Sequence, residues 1–205
     1  MYLKTALTLA FTIFPLASFA APAAAGTHTE QAPTTAYQEV SKTLEDILKV
    51  VEAFPGTEHQ VERRAKLREV INPRFDFPEM AQRCLGSNWP GRTPEEQQEF
   101  VRIFSDVLAK TYLAKIELIQ RNTAKIDKED VDFPKALVKT TITHKGDKFP
   151  LDYKLLNKEG HWRVYDVVIE NIGLVANYRN EFAGIIRRDG FPGLLKQLKE
   201  KNDRT

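Results

Sequence analysis

One cysteine, Cys84, stands in a chain of 205 residues. No intramolecular disulfide can therefore brace the fold in any compartment, and the core must hold unaided. The four histidines, His28, His59, His144 and His161, include no H-E-x-x-H motif and no i, i+4 pair, so the usual helical zinc pattern is missing. The acidic run Asp127, Glu129, Asp130 and Asp132 lacks the looped D-x-D-x-D-G spacing of a calcium site and is expected to protect a strand edge. Ser87 lies in Leu-Gly-Ser-Asn-Trp rather than in a G-x-S-x-G elbow. The ten glycines build no phosphate-cradling loop, which excludes ATP hydrolysis. Charge of one sign is also missing: the formal net charge is +2 with 28% charged residues, too balanced for a surface devoted to nucleic acid. Beyond the first twenty residues there is no long apolar run.

Those first residues read as an address. Lys4 supplies a positive start, Ala6 to Ala17 an apolar stretch with Phe11, Ile13 and Phe14, and Ser18-Phe19-Ala20 a small-residue cleavage site. Residues 1–20 are thus expected to be a secretory signal peptide, with an uncleaved anchor as the alternative. No cysteine follows directly, so the lipoprotein route is closed. Residues 21–33 are small, polar and proline-bearing, a flexible linker. The domain is expected over 34–203.

What is present is a run of helices followed by strands. Thr34 or Thr35 can cap a helix carrying Tyr37, Val40, Leu44, Ile47, Val51 and Phe54 on one face, ended by Pro55-Gly56. Thr57 is expected to cap a second helix through Val61, Ala65, Leu67 and Val70. Its other face, Glu62, Arg63, Arg64, Lys66 and Arg68, reads as solvated, with a docking or anionic headgroup surface as the sharper reading. Asp76 and Pro78 start a short helix that closes at Gly86; within it Cys84 sits between Met80 and Leu85 and reads as a small buried hydrophobe. After the turn Trp89-Pro90-Gly91, Thr93-Pro94-Glu95-Glu96 is a capping box. The helix it opens carries Phe100, Phe104, Val107, Leu108, Tyr112 and Ile116 and is expected to reach Ile119, roughly 39 Å away.

The hydrophobic period then becomes two. Val138, Thr140 and Ile142 alternate with charged or hydroxyl neighbours, Lys145-Gly146-Asp147 signals a hairpin, and Leu151, Tyr153 and Leu155 alternate with Asp152 and Lys154. A shorter strand is expected near Ala124 to Val131. Asn157 to Gly160 turns the chain into the strand from His161, where Trp162, Val164 and Val168 interleave with Tyr165, Val167 and Ile169 and both faces read as buried. After Glu170-Asn171 and Gly173, apolar residues at Ile172, Val175, Tyr178, Phe182 and Ile185 step by three and four, one stripe of a helix folding back over the sheet. Arg187-Arg188-Asp189-Gly190 ends it, and Pro192 to Lys199 makes a last short helix. His144 and His161 border the meander and could face each other. The fold class is α+β: a single domain in which helices cradle a curved antiparallel meander. Apolar side chains from the long helix, the meander and the closing helix point into one volume, which they either fill or line.

At this point a resemblance is legible. Phe75-Asp76-Phe77 with Met80-Ala81 and Leu85-Gly86, then Trp89, Thr93-Pro94-Glu95, Phe100, Phe104 and Tyr112, and finally Trp162 to Val167 followed by Asn177-Tyr178-Arg179 and Phe182, resemble the MlaC family. These are also called toluene-tolerance or Ttg2 auxiliary proteins. The resemblance implies a non-enzymatic periplasmic phospholipid carrier with no cofactor, whose cargo is a glycerophospholipid held in a lipid-sized apolar cavity. Its implied partners are an outer-membrane lipoprotein–porin complex and an inner-membrane MCE-domain ABC transporter, with outer-membrane lipid asymmetry as the purpose. One branch of the family is linked to hopanoid loci, so a hopanoid-related cargo stays open.

Within that expectation the lipid-binding wall is assigned to Phe104, Leu108 and Tyr112 on the long helix. Val138, Thr140, Ile142, Leu151, Tyr153 and Leu155 supply it on the meander, and Val168, Leu174, Val175, Tyr178 and Phe182 at the end. Tyr165, Asp166 and Arg179 are expected to fix the strand-to-helix corner by hydrogen bonding. Exposing two acyl chains of about fifteen methylenes each to water costs on the order of 20 kcal/mol, more than a surface groove can hide. Two other classes compete: a small-solute binder or enzyme in which Asp166, Tyr165 and a histidine converge, and an adaptor with a filled interior.

Overall fold

A computed structural model describes residues 34–121 and 123–204. The expected signal peptide at 1–20 and linker at 21–33 lie outside the described residues. Helix α1 (Ala36–Ala53) begins at a capping box: Thr35 Oγ1 accepts from Gln38 N at 3.1 Å and Gln38 Oε1 accepts from Thr35 N at 2.9 Å, satisfying two amides that have no helical partner. Its buried stripe is Ala36, Val40, Leu44 and Ile47; Tyr37, expected in that stripe, is exposed because it lies about 100° of helix away from Ala36.

Helix α2 (Gln60–Ile71) departs from expectation at its start and on its charged face. It begins after His59 with no side-chain cap, so Thr57 is not the capping residue, and Val61 points to solvent. Arg63, read as part of a solvated face, is buried. Its guanidinium donates to the carbonyls of Phe54 and Gly56, both at 2.7 Å, and to Glu117 at 3.2 Å. Arg64 reaches the same Glu117 at 3.1 Å. The face holds the α1–α2 turn against the end of α4; a buried guanidinium is tolerated because a carboxylate and two carbonyls accept from it.

Helix α3 (Phe77–Leu85) opens where Asp76 accepts from Glu79 N at 3.0 Å and closes at Gly86, whose φ of 54° is the left-handed region glycine favours. Helix α4 (Pro94–Ile116) has the expected capping box between Thr93 and Glu96. It ends short of Ile119 because Leu118 and Ile119 donate to Lys115 and Ile116, the tighter i+3 turn that commonly finishes a helix.

Strands β1 (Ala124–Asp132), β2 (Lys135–His144), β3 (Asp147–Lys158), β4 (His161–Ile169) and β5 (Ile172–Gly173) form an antiparallel meander in that order. Lys145-Gly146, Glu159-Gly160 and Glu170-Asn171 all have positive φ, the two-residue turns whose twist matches flanking strands. Phe133-Pro134 is cis between β1 and β2. His144 pairs with Asp147 and His161 with Lys158, the first and last residues of β3. The two histidines therefore sit at opposite ends, roughly 35 Å apart, and do not face each other.

Ile172 lies in β5 and is exposed, so the closing helix α5 (Leu174–Arg204) starts after it and its stripe begins at Val175. Gly190, with φ 71°, breaks α5, and the helix resumes through Pro192 and runs past Lys199. Among the described residues this is a single α+β domain of five helices and a five-stranded sheet. Its largest core is helical and aromatic: the rings of Phe100, Phe104, Tyr178, Phe182 and Phe191 meet stacked, tilted or edge to face at 5.2–6.1 Å. Cys84 packs in that core, 1% exposed.

Candidate functional site: an apolar cavity between sheet and helices

Behind the aromatic core the helices and the concave sheet leave a hollow of about 470 Å³, within the range of sites that engulf a small ligand. Val40, Leu44 and Ile47 of α1 wall one side, Leu108 to Ile116 of α4 another, and Phe75, Phe77 and Met80 the base. The sheet contributes Ile142, the β3 series Phe149, Leu151, Tyr153 and Leu155, and Val164, Val167 and Ile169 of β4. Exposure grows toward one end. Leu155 and Met80 are at most 1% exposed, whereas Leu118 is 54% exposed, with Lys115 and Glu170 exposed beside it. That end is one place, because Thr143 N donates to Thr123 O and Glu170 N to Pro150 O, joining the close of α4 to the β2–β3 and β4–β5 turns. The cavity meets solvent there.

Of the residues assigned to the wall from sequence, Leu108, Tyr112, Ile142, Leu151, Tyr153, Leu155 and Leu174 line the cavity. Phe104, Val175, Tyr178 and Phe182 do not; they interdigitate in the solid aromatic core. Val138 packs under α1, and Thr140 turns its hydroxyl to the Leu151 carbonyl.

Val168 is displaced by a β-bulge. Lys154 pairs with Asp166 and Leu155 with Val164, so Tyr165 is an extra residue on β4. One unpaired residue reverses the alternation, and Val164, Val167 and Ile169 come to share the cavity face while Val168 does not. The α1 stripe was visible as apolar spacing, but which neighbour it faced was not. Phe149 was missed because Pro150 masks the alternation.

Charged groups in the lining are mostly neutralised. Arg74 is held by Glu39 and by Asp46 at 3.5 Å, and Arg68 by Asp106 at 3.0 Å. Lys115 lies 5.7 Å from the Tyr112 ring and has no carboxylate partner among the described residues. Thr43 returns its hydroxyl to Glu39 O at 2.7 Å. The Tyr112 and Tyr178 hydroxyls interact, and burial pushes both phenols up. Burial likewise raises the Tyr153 phenol.

The corner residues stand outside the cavity. Asp166, 5% exposed, accepts from Val175 N at 3.0 Å and from Lys154 Nζ at 3.0 Å, pinning the first turn of α5 to β4. Arg179 donates to Arg83 O at 2.7 Å, and Arg83 lies over the Tyr165 ring. Asp166, Tyr165 and a histidine do not converge on the hollow. Among the described residues no three His, Cys, Asp or Glu side chains gather as a metal site would require. The arrangement can enclose hydrocarbon and offers one wet end to a polar group.

Comparison with known proteins agrees in kind. The sequence matches the family model described as MlaC protein over residues 38–200. It is 19% identical over 197 residues to the intermembrane phospholipid transport system binding protein MlaC of Haemophilus influenzae, spanning 91% of each chain. It is 25% identical over 151 residues to the toluene tolerance protein ttg2D of Pseudomonas putida, spanning 68% of this chain and 70% of that one. Its structure is similar to that of a phospholipid-binding protein from Ralstonia solanacearum in complex with a phospholipid. The TM-score is 0.76 at 28% identity, over 83% of this chain and 98% of the other.

Proposed function

Since this chain belongs to the MlaC family, we propose that it is a phospholipid carrier whose cargo keeps its acyl chains in the cavity and its headgroup at the open end. The observation that carries the reading is the hollow itself: a domain of this size ordinarily packs its interior solid, and an apolar void kept open is useful only if something oily occupies it. Supporting it is the polarity of the lining: away from the open end its charged groups Glu39, Arg68 and Arg74 are ion-paired, while Lys115, His144 and Glu170 stand at the open end. The carrier performs no bond chemistry; lowering the cost of moving acyl chains through water is its whole contribution.

In this reading residues 1–20 direct export and are removed, 21–33 are a flexible linker, and the domain works in the periplasm. There it passes glycerophospholipid between an outer-membrane lipoprotein–porin complex and an inner-membrane MCE-domain ABC transporter, sustaining outer-membrane lipid asymmetry. Having no energy source of its own, it follows whichever partner binds the loaded or empty form more tightly.

Native mass spectrometry of protein purified from membrane-containing cells tests the proposal. A phospholipid adduct removable by delipidation is expected. Protein that stays lipid-free through purification and takes up none from phospholipid vesicles would overturn it.

A further inference from the structure

Between the rim and the base of the cavity, the unexposed polar groups set into the wall have protein partners among the described residues, with one exception. Thr43 bonds its own helix, the Tyr112 hydroxyl interacts with that of Tyr178, and Arg68 and Arg74 are ion-paired. Tyr153 points from β3 into the hollow, and among the described residues its hydroxyl has no hydrogen-bond partner. Leu151 and Leu155 flank it along the strand, and Val138 and Val167 pair with it on either side, so these neighbours within the sheet are all hydrocarbon. A phenol hydroxyl that faces an apolar hollow is costly once a lipid displaces water from it, unless that lipid brings it an acceptor.

The surroundings restrict what that acceptor is. No unneutralised cation lines the cavity beside Tyr153; the unpaired Lys115 and the imidazole of His144 belong to the open end. A phosphate needs cations, so the group that fits here is a neutral oxygen. In a diacyl lipid the acceptor closest to the hydrocarbon is the ester carbonyl. Phe149, which stands toward the rim, is four residues from Tyr153, about 14 Å of strand, enough for a glycerophosphate headgroup to extend from that level to Lys115 and His144.

Resting on the carrier reading, we infer that the Tyr153 hydroxyl donates a hydrogen bond to an ester carbonyl of the bound lipid and so makes the site selective for acyl-ester over ether-linked lipids. The aliphatic wall is indifferent to the linkage, since both lipid types present the same chains to it. Tyr153 alone distinguishes them.

The experiment compares loading of a diester phosphatidylcholine and its di-ether analogue with identical chains, offered in equal-composition vesicles to the wild type and to Tyr153→Phe. The wild type is expected to favour the diester by about two- to tenfold, the range of one neutral hydrogen bond. Tyr153→Phe is expected to take both lipids equally, at the wild type's di-ether level, with its unfolding midpoint unchanged or raised because the removed hydroxyl had no protein partner. Equal loading of the two lipids by the wild type would overturn the inference, as would discrimination retained by Tyr153→Phe. A lowered midpoint in the variant would also overturn it by revealing a structural bond. If neither protein loads either lipid, the carrier reading itself fails and this inference with it.

Discussion

Arg63 on α2 and Glu117 beyond the end of α4 meet at 3.2 Å, with side chains only 11% and 9% exposed. The same carboxylate accepts from Arg64, and the same guanidinium closes on two carbonyls of the α1–α2 turn. Three helical segments at the cavity's α1–α4 side are thus joined through one ion cluster. Removing Glu117 leaves the Arg63 guanidinium enclosed without a counter-charge. Glu117→Gln should therefore lower stability by about 3 kcal/mol, measured by urea unfolding. Lys66→Ala, which breaks only an exposed pair with Glu69, should cost under about 0.5 kcal/mol. Comparable losses in the two variants would contradict the cluster's role.

Val138 packs under α1 and does not border the hollow, so the lipid wall is tested at a residue that does. Leu151→Glu places a carboxylate among hydrocarbon and should reduce co-purifying phospholipid by at least about tenfold. Lys139→Glu changes only an exposed position of β2 and should leave lipid content as it was. Quantitative lipid extraction from both proteins decides the matter; matching lipid content would count against the wall.

Glu79 gives the protein a specific acid sensitivity. Burial alone would push its carboxyl up, but Lys158 at 2.8 Å and Arg83 at 2.7 Å outweigh it and hold the group below the usual carboxylate range. A carboxyl depressed in the folded state binds protons more weakly there than in the unfolded chain. Its contribution is therefore complete above the ordinary carboxylate pKa and fades as pH falls through the depressed value. The wild type should exceed Glu79→Gln by about 1 kcal/mol near pH 7, and urea titrations should show the gap narrowing as the solution is acidified below the ordinary carboxylate range. A gap that persists in acid would mean the ion pairs are not its source.

Cys84 should be chemically silent while the protein is folded. Enclosure in the aromatic core, and secondarily the Asp166 charge, push its thiol up to about 12, so almost no thiolate exists near pH 8. A disulfide reagent should label it only after unfolding by guanidinium, at the rate of an ordinary exposed thiol. Prompt labelling of the native protein would place Cys84 nearer to solvent than its 1% exposure allows.

Much of this molecule was written locally. The capping boxes at Thr35 and Thr93 involve residues three apart, and the Lys145-Gly146 and Glu159-Gly160 turns need only backbone freedom and strand twist. The alternation of Val138, Thr140 and Ile142 follows from the pleat. Forces that act within a few residues leave their mark within a few residues. For that reason the order of elements and the α+β class could be read before any coordinates.

Other features depended on partners far away in the chain. Arg63 reads as a surface cation until Glu117 is brought beside it. Tyr165 carries no mark of being the unpaired residue of a bulge, yet it decides that Val167 rather than Val168 faces the hollow. Phe104, Tyr178 and Phe182 have the same apolar character as Leu108, Tyr112 and Leu174. The first three meet and exclude all space between them, while the other three stop short of their opposite wall. Sequence by itself determined which surfaces leave water, because hydrophobicity belongs to each residue. Only the tertiary structure decided where those surfaces touch and where a gap remains, because a gap is the distance between elements and no single residue carries it.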